Sequence, residues 1–281
     1  MKKTVLKIYI FTFIVAFFNV ILLDRLYNRN INEVDFINIE SPMEADKIAE
    51  FSITDKSIDE IKDYCMKNNL DFIKFFTSYM ICNNYEVDSV SYDYNEEYYK
   101  DSDYAKSVES IYRAILSDIE YFPIPNSTNE TSRNYWYCNS WKSERTYGGN
   151  RKHYGTDIMD SKNERGYFPI ISMTDGYVEK IGWLELGGWR VGIRAEHGGY
   201  FYYAHLEKYA DNLKQGKKIK AGDIIGYMGN SGYGEEGTYG KFDVHLHLGI
   251  ALTVKDREDE FWINPYWILQ YIEDTKVKVD Y

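Results

Sequence analysis

The chain has 281 residues, 44% of them apolar and 17% aromatic, and 44 acidic against 33 basic side chains give a formal net charge of −11. That length holds one large or two modest domains, and the apolar fraction is enough for a buried core. So acidic a chain is a poor binder of nucleic acid or of an anionic lipid surface, and no nucleic-acid partner is expected.

Residues Met1 to Lys7 are short and basic, and Ile8 to Leu23 are apolar apart from Thr12 and Asn19. The run approaches the roughly 20 residues that span a bilayer, and Asp24 and Arg25 close it. No small-residue cleavage site follows. Residues 1–24 are therefore expected to be a membrane anchor, with a cleaved signal peptide and secretion as the alternative. Lys2, Lys3 and Lys7 predict that end in the cytoplasm and the rest of the chain outside.

Residues 25–121 read as a linker and a small α-helical module. A short helix is expected near Met43 to Phe51. Ser57 and Glu60 form a capping box, and Ile58, Ile61, Tyr64 and Cys65 follow at helical spacing until Asn68-Asn69 breaks the pattern. Leu70 to Ile81 gives a second helix, with Phe72, Ile73, Phe76 and Met80 on its apolar stripe. Val87 to Asp103 is acidic, rich in tyrosine and expected to be a loop. Ala105 to Ile119 gives a third helix, burying Val108, Ile111, Tyr112, Ile115 and Ile119. This module carries no recognisable chemistry. It is expected to be a spacer packed on the C-terminal half of the chain, with substrate binding, inhibition or contact with a cell-envelope protein as its alternative roles. Cys65, Cys82 and Cys138 lack Cys-x-x-Cys spacing, so buried thiols are expected rather than a disulfide framework.

Pro123 and Pro125 mark a boundary. From residue 122 to 271 the pattern changes to short strands separated by glycine turns: Tyr177 to Trp183, Trp189 to Glu196, Tyr200 to Tyr203, Ile224 to Met228 and Val244 to Leu252. That spacing predicts an antiparallel β domain. A short helix over Trp267 to Ile272 and a tail over 272–281 close the chain. In the last strand, His245 and His247 are two apart and so share one face, while Val244, Leu246 and Leu248 enter the core. Two imidazoles on one rigid strand suit a metal site. Only five histidines occur in the chain, at 153, 197, 205, 245 and 247. His197 precedes the Gly198-Gly199 turn and is expected to be a turn residue.

The order His153-Tyr154-Gly155-Thr156-Asp157, then Tyr203-Ala204-His205-Leu206, then His245-Leu246-His247 resembles the LytM/lysostaphin-type zinc endopeptidases of peptidoglycan, the M23 family. The resemblance runs from about Phe122 to about Tyr271. It implies a lysostaphin-like mainly β fold with antiparallel sheets forming a groove. It also implies one zinc ion per chain held by His153, Asp157 and His247, and a peptidoglycan peptide as substrate. His205 and His245 match the family's two proton-handling histidines, and Tyr147 falls where members carry an oxyanion-stabilising tyrosine. Two positions depart from the pattern: Asp243-Val244 stand where a Gly-Pro pair is usual, and Gly249 stands where glutamate is usual. The implied activity is a membrane-anchored, outward-facing zinc endopeptidase. A non-enzymatic binding partner or activator in division or sporulation is the alternative, and the intact ligand set speaks against it. A 2-His-1-carboxylate iron site normally spaces His and Asp two apart, not four as in His153 and Asp157.

Overall fold

The computed structural model describes residues 33–34, 39, 41–91, 102–129, 133–255 and 259–281. The expected membrane anchor over residues 1–24 and most of the expected 87–103 loop lie outside the described residues. No helix among the described residues is long and apolar enough to cross a membrane.

Among the described residues four helices precede the main run of strands: α1 (Pro42–Glu50), α2 (Asp55–Asn68), α3 (Phe72–Cys82) and α4 (Asp103–Leu116). The last three open on side-chain caps, in which Thr54 accepts from Ser57 N, Asp71 from Lys74 N and Ser102 from Ala105 N. Each cap satisfies an amide that has no partner within the helix. Ser57, expected as a cap, therefore lies inside the first turn of α2, because Thr54 begins that helix earlier. Asn69 ends α2 in the left-handed region at φ 53°, with its N–H donating to Cys65 and Met66 carbonyls. Ile119 is not part of the α4 stripe. It lies past the helix end and bridges Thr174. Cys65 is buried, but Cys82, at the end of α3, and Cys138, in a connection, are exposed, so burial does not extend to all three thiols.

A sheet of 11 strands among the described residues forms the rest of the fold. Its strands are β1 (Glu33–Val34), β2 (Tyr135–Trp136), β3 (Thr156–Asp160), β4 (Pro169–Ile171), β5 (Gly176–Leu184), β6 (Gly188–Arg194), β7 (Tyr200–Tyr209), β8 (Lys218–Ile219), β9 (Ile224–Met228), β10 (His245–Val254) and β11 (Glu260–Ile263). The spine runs β8-β5-β6-β7-β10-β3-β2. β1 adds to β10 in parallel, β11 adds to it antiparallel, and β9 pairs with both β7 and β4. Helix α5 (Pro265–Tyr271) follows, capped by Asn264 with Pro265 in its first turn.

β7 is longer than its sequence pattern suggests because, with β6 along one edge, it serves two partners in succession along the other. Its first half pairs with β10 as far as Ala204 opposite His247, and its second half pairs with β9 from Leu206 opposite Met228. His205 sits at the change of partner, at φ 63°. A non-glycine residue held in that region costs free energy and persists only where its surroundings fix it.

Helices α4 and α5 pack on β10, α1 on β11 and α2 on α5. One buried cluster runs without a break from Ile48, Phe51, Phe76 and Tyr112 in the helices to Leu246, Leu248 and Ile250 in β10. Asn264 N donates to Ala49 O at 2.7 Å across the junction. Residues past α5 are also tied down: Lys278–Val279 pairs in parallel with Asn126–Ser127, and the Tyr281 hydroxyl donates to Pro125 O at 2.8 Å.

Candidate metal centre

β3 and β10 run antiparallel with Asp157 directly opposite His247. Leu246 and Leu248 are fully buried on one face of β10, which leaves His245 and His247 on the other. His153 enters from a small hairpin in which Glu144–Arg145 pairs with Arg151–Lys152. Its backbone is held at both ends, by His153 N to Ser143 O at 2.9 Å and Lys142 N to His153 O at 2.8 Å. Gly155 lets these parts meet: a Cβ there would lie 2.5 Å from His247 Cε1 and 2.7 Å from Leu248 O.

Three donor atoms converge. His153 Nε2 lies 3.1 Å from Asp157 Oδ1 and 3.0 Å from His247 Nδ1, and His247 Nδ1 lies 2.9 Å from Asp157 Oδ1. The group of His153, Asp157 and His247 is a set of side chains able to hold a metal ion. His153 Nδ1 donates to Ser140 O at 3.1 Å, which leaves the lone pair of Nε2 facing the other two donors. Lone pairs so close repel one another unless a proton or a cation lies between them. Two imidazole nitrogens and a carboxylate oxygen, with a cleft in front for a water or substrate, are a donor set that suits catalytic zinc.

Burial pushes the Asp157 carboxyl up, but the close imidazoles of His153, His247 and His245 outweigh it and hold the group well below the usual carboxylate range. Burial holds His247 below its ordinary value despite its bond to Asp157. The other oxygen of Asp157, Oδ2, accepts from Arg145 Nη2 at 2.5 Å. Arg145 thus fixes the carboxylate plane and leaves Oδ1 to the histidines. The sequence motifs give no sign of this role.

His205 and His245 stand beside the donor set. His205 Nδ1 donates to Ser231 O at 2.8 Å and His245 Nδ1 to Asp243 O at 2.7 Å. Both rings therefore keep Nε2 as an acceptor. The ring centres are 4.7 Å apart, and His245 Nε2 is 3.7 Å from Asp157 Oδ1. Burial, then the neighbouring His245 and His247, holds His205 well below the ordinary histidine range. Phe242 packs against both rings, at 4.5 and 5.1 Å between centres. The cleft is lined by all five of these site residues together with Arg145, Arg151, Tyr233 and Phe242.

Tyr147 is not brought to this cleft. Its ring stacks on Tyr233 at 4.2 Å, its hydroxyl donates to Tyr233 O at 2.6 Å, and it is 40% exposed. Tyr202 of β7 and Tyr233, in the glycine-rich connection before β10, are the tyrosines that line the cleft. His197 sits in its turn with Nδ1 2.7 Å from Asp118 Oδ1 and is not among the residues that line the cleft. Gly249, one of the two departures from the family pattern, lies under Trp262, whose Cζ3 would be 2.5 Å from an added Cβ. A glutamate there would displace that indole.

Residues 151–259 match peptidase family M23. The chain is 34% identical over 208 residues to the L-Ala--D-Glu endopeptidase of Bacillus subtilis, covering 72% of this chain and 60% of that protein. It thus spans less than two thirds of that relative's length. It is 36% identical over 88 residues to the glycyl-glycine endopeptidase ALE-1 of Staphylococcus capitis, covering 31% of this chain and 22% of that one. A crystal structure of lytM from Ruminococcus gnavus aligns with a TM-score of 0.73 at 40% identity, over 86% of this chain and 94% of the other. That span is too long for the β region alone, so the likeness takes in the helices as well.

Proposed function

The chain belongs to peptidase family M23, and from that premise we propose that it is a zinc endopeptidase that hydrolyses peptide bonds of peptidoglycan. The observation that carries the reading is the convergence of His153 Nε2, Asp157 Oδ1 and His247 Nδ1 to within 3.1 Å of one another. Held by these three side chains, zinc would supply a water whose pKa falls towards about 7 and a Lewis acid for the scissile carbonyl.

The chain's own residues handle the protons. His205 and His245, each with Nδ1 turned to a backbone carbonyl, leave Nε2 for the cleft, one to take the proton of the attacking water and the other, once charged, to hydrogen-bond the developing oxyanion or protonate the leaving amine. Phe242 covers their rings and keeps bulk water off them. A non-catalytic binding role would be favoured by a missing ligand, and none of the five residues is missing. The reading places the apolar run 8–23 in the bacterial cell membrane, with the site outside, where peptidoglycan lies.

The test is to incubate the zinc-loaded full chain with purified peptidoglycan, with and without a chelator, and to identify released fragments by mass spectrometry. New amine ends that disappear with chelator are the expected result. One zinc bound per chain with no new amine ends from several wall types would overturn the enzyme reading.

A further inference from the structure

Beside the metal centre lies a second cavity that shares Arg151, Tyr202 and His247 with the first. The two cavities therefore adjoin at these three side chains, so a peptide at the donor set lies next to the second cavity. Four cations, Arg151, Lys152, Lys180 and Arg190, line this cavity against one described carboxylate, Glu260. That is the reverse of the chain as a whole, whose net charge is −11.

Most of the cationic side chains have partners, but the balance is incomplete. Lys180 Nζ is neutralised by Glu260 at 3.0 Å, and Lys152 faces Glu144 at 3.6 Å. Arg151 Nη2 donates to the neutral Tyr233 hydroxyl at 2.8 Å. Arg190 has its Nη1 buried with no hydrogen-bond partner among the described residues. Arg190 thus lines the cavity with a charge that no ion pair among the described residues neutralises, and a carboxylate bound there would do so. Arg is the side chain suited to planar, two-point contact with a carboxylate. Trp262 and Tyr202, in edge contact at 5.9 Å, give the cavity an apolar wall, which suits the short aliphatic stem that carries such a group.

We infer that this cavity is the specificity subsite for a free carboxylate on the residue beside the scissile bond, held by Arg190 and Arg151. The inference rests on the endopeptidase reading and narrows it: the preferred bond flanks an acidic residue, such as a glutamyl residue with an ionised carboxylate, rather than lying between glycines.

The experiment uses the zinc-loaded full chain and two Ala–Glu stem peptides that differ in one group, a free glutamyl carboxylate or its carboxamide. Each is also made with the scissile amide replaced by a non-cleavable CH2–NH link, and dissociation constants for these analogues are read by calorimetry. A charge-assisted contact predicts that the acid binds about 10- to 100-fold tighter than the amide. Arg190→Gln brings that ratio towards one, and Arg190→Lys restores part of it. Equal affinity of wild-type protein for acid and amide, or binding of neither, overturns the subsite, and this comparison stands even if the Gln variant does not fold. Tight, acid-selective binding without cleavage of the native peptides leaves the subsite standing and removes the endopeptidase reading instead.

Discussion

Arg145 and Asp157 show what motif spacing can and cannot reveal. The two histidines and the carboxylate of the donor set are legible through the resemblance of their ordered motifs to family M23, and strand periodicity alone adds only that His245 and His247 share a face of β10. Arg145 is not legible. It reaches Asp157 only because a hairpin of two-residue strands folds Glu144–Arg145 back against Arg151–Lys152, and nothing in the local sequence sets that register. Tyr147 illustrates the reverse: its position fits a family pattern, but stacking on Tyr233 takes its hydroxyl to a backbone carbonyl. Partners that orient a metal ligand typically change affinity by about 10–100-fold. Arg145→Ala is therefore expected to weaken zinc by that factor in a chelator competition, with circular dichroism unchanged. His247→Ala, which removes a donor atom, is expected to lose both zinc and activity. His205→Ala keeps the donor set, so metal analysis should still find zinc while hydrolysis falls by about 10²–10⁴, the usual contribution of a positioned acid or base. Loss of zinc from His205→Ala would show that donor and proton acceptor had been exchanged.

The elements were readable where periodicity runs for more than two turns or four strand residues. α2, α3 and α4 and strands β5, β6, β9 and β10 fall close to their patterns, because each carries buried apolar residues in a run long enough to read. The ends were less readable, since a cap depends on which neighbouring hydroxyl or carboxylate turns inward. Thr54 rather than Ser57 caps α2, and its Oγ1 also donates to Ser57 Oγ at 2.9 Å. Thr54→Ala should cost about 1 kcal/mol in urea unfolding, the typical worth of such a cap. Phe76 is a larger test of the same region. It stacks on Phe51 at 5.8 Å, meets Tyr112 edge-on at 5.2 Å and is fully buried. Phe76→Ala is expected to cost about 3–5 kcal/mol by cavity formation and lost ring contacts. A cost below about 1 kcal/mol would mean that the helices contribute little to the cooperative unit. β3, which carries Asp157, shows why short strands are harder to read: its residues Thr156 to Asp160 alternate in burial, but the run is only 5 residues long and includes the aspartates Asp157 and Asp160.

On the scale of the molecule, the proline boundary near residue 123 divides the chemistry more cleanly than it divides the core. The motifs all lie after it, so the sequence alone suggests that residues 122–281 would suffice. The packing argues otherwise. α4 lies against β10, the strand that carries His245 and His247, while α1 packs on β11 and α2 on α5. Asp118, just past α4, accepts from His197 N at 2.7 Å and so ties the end of the helices to the turn between β6 and β7. Removing residues 1–121 would uncover the buried face of α5 and the helix-facing side of β10, both of which form one cluster with Phe51, Ile111 and Tyr112. Apolar area returned to water costs roughly 25 cal/mol per Å², so losing several such contacts consumes much of the 5–15 kcal/mol by which a domain is usually stable. A fragment over 122–281 is therefore expected to unfold at lower urea than a chain beginning at residue 41, and to bind zinc more weakly because β10 is no longer backed. Matched unfolding curves and zinc titrations of the two would check this. Equal midpoints and equal zinc affinity would mean that the helices are passengers on the sheet rather than part of the support behind the metal centre.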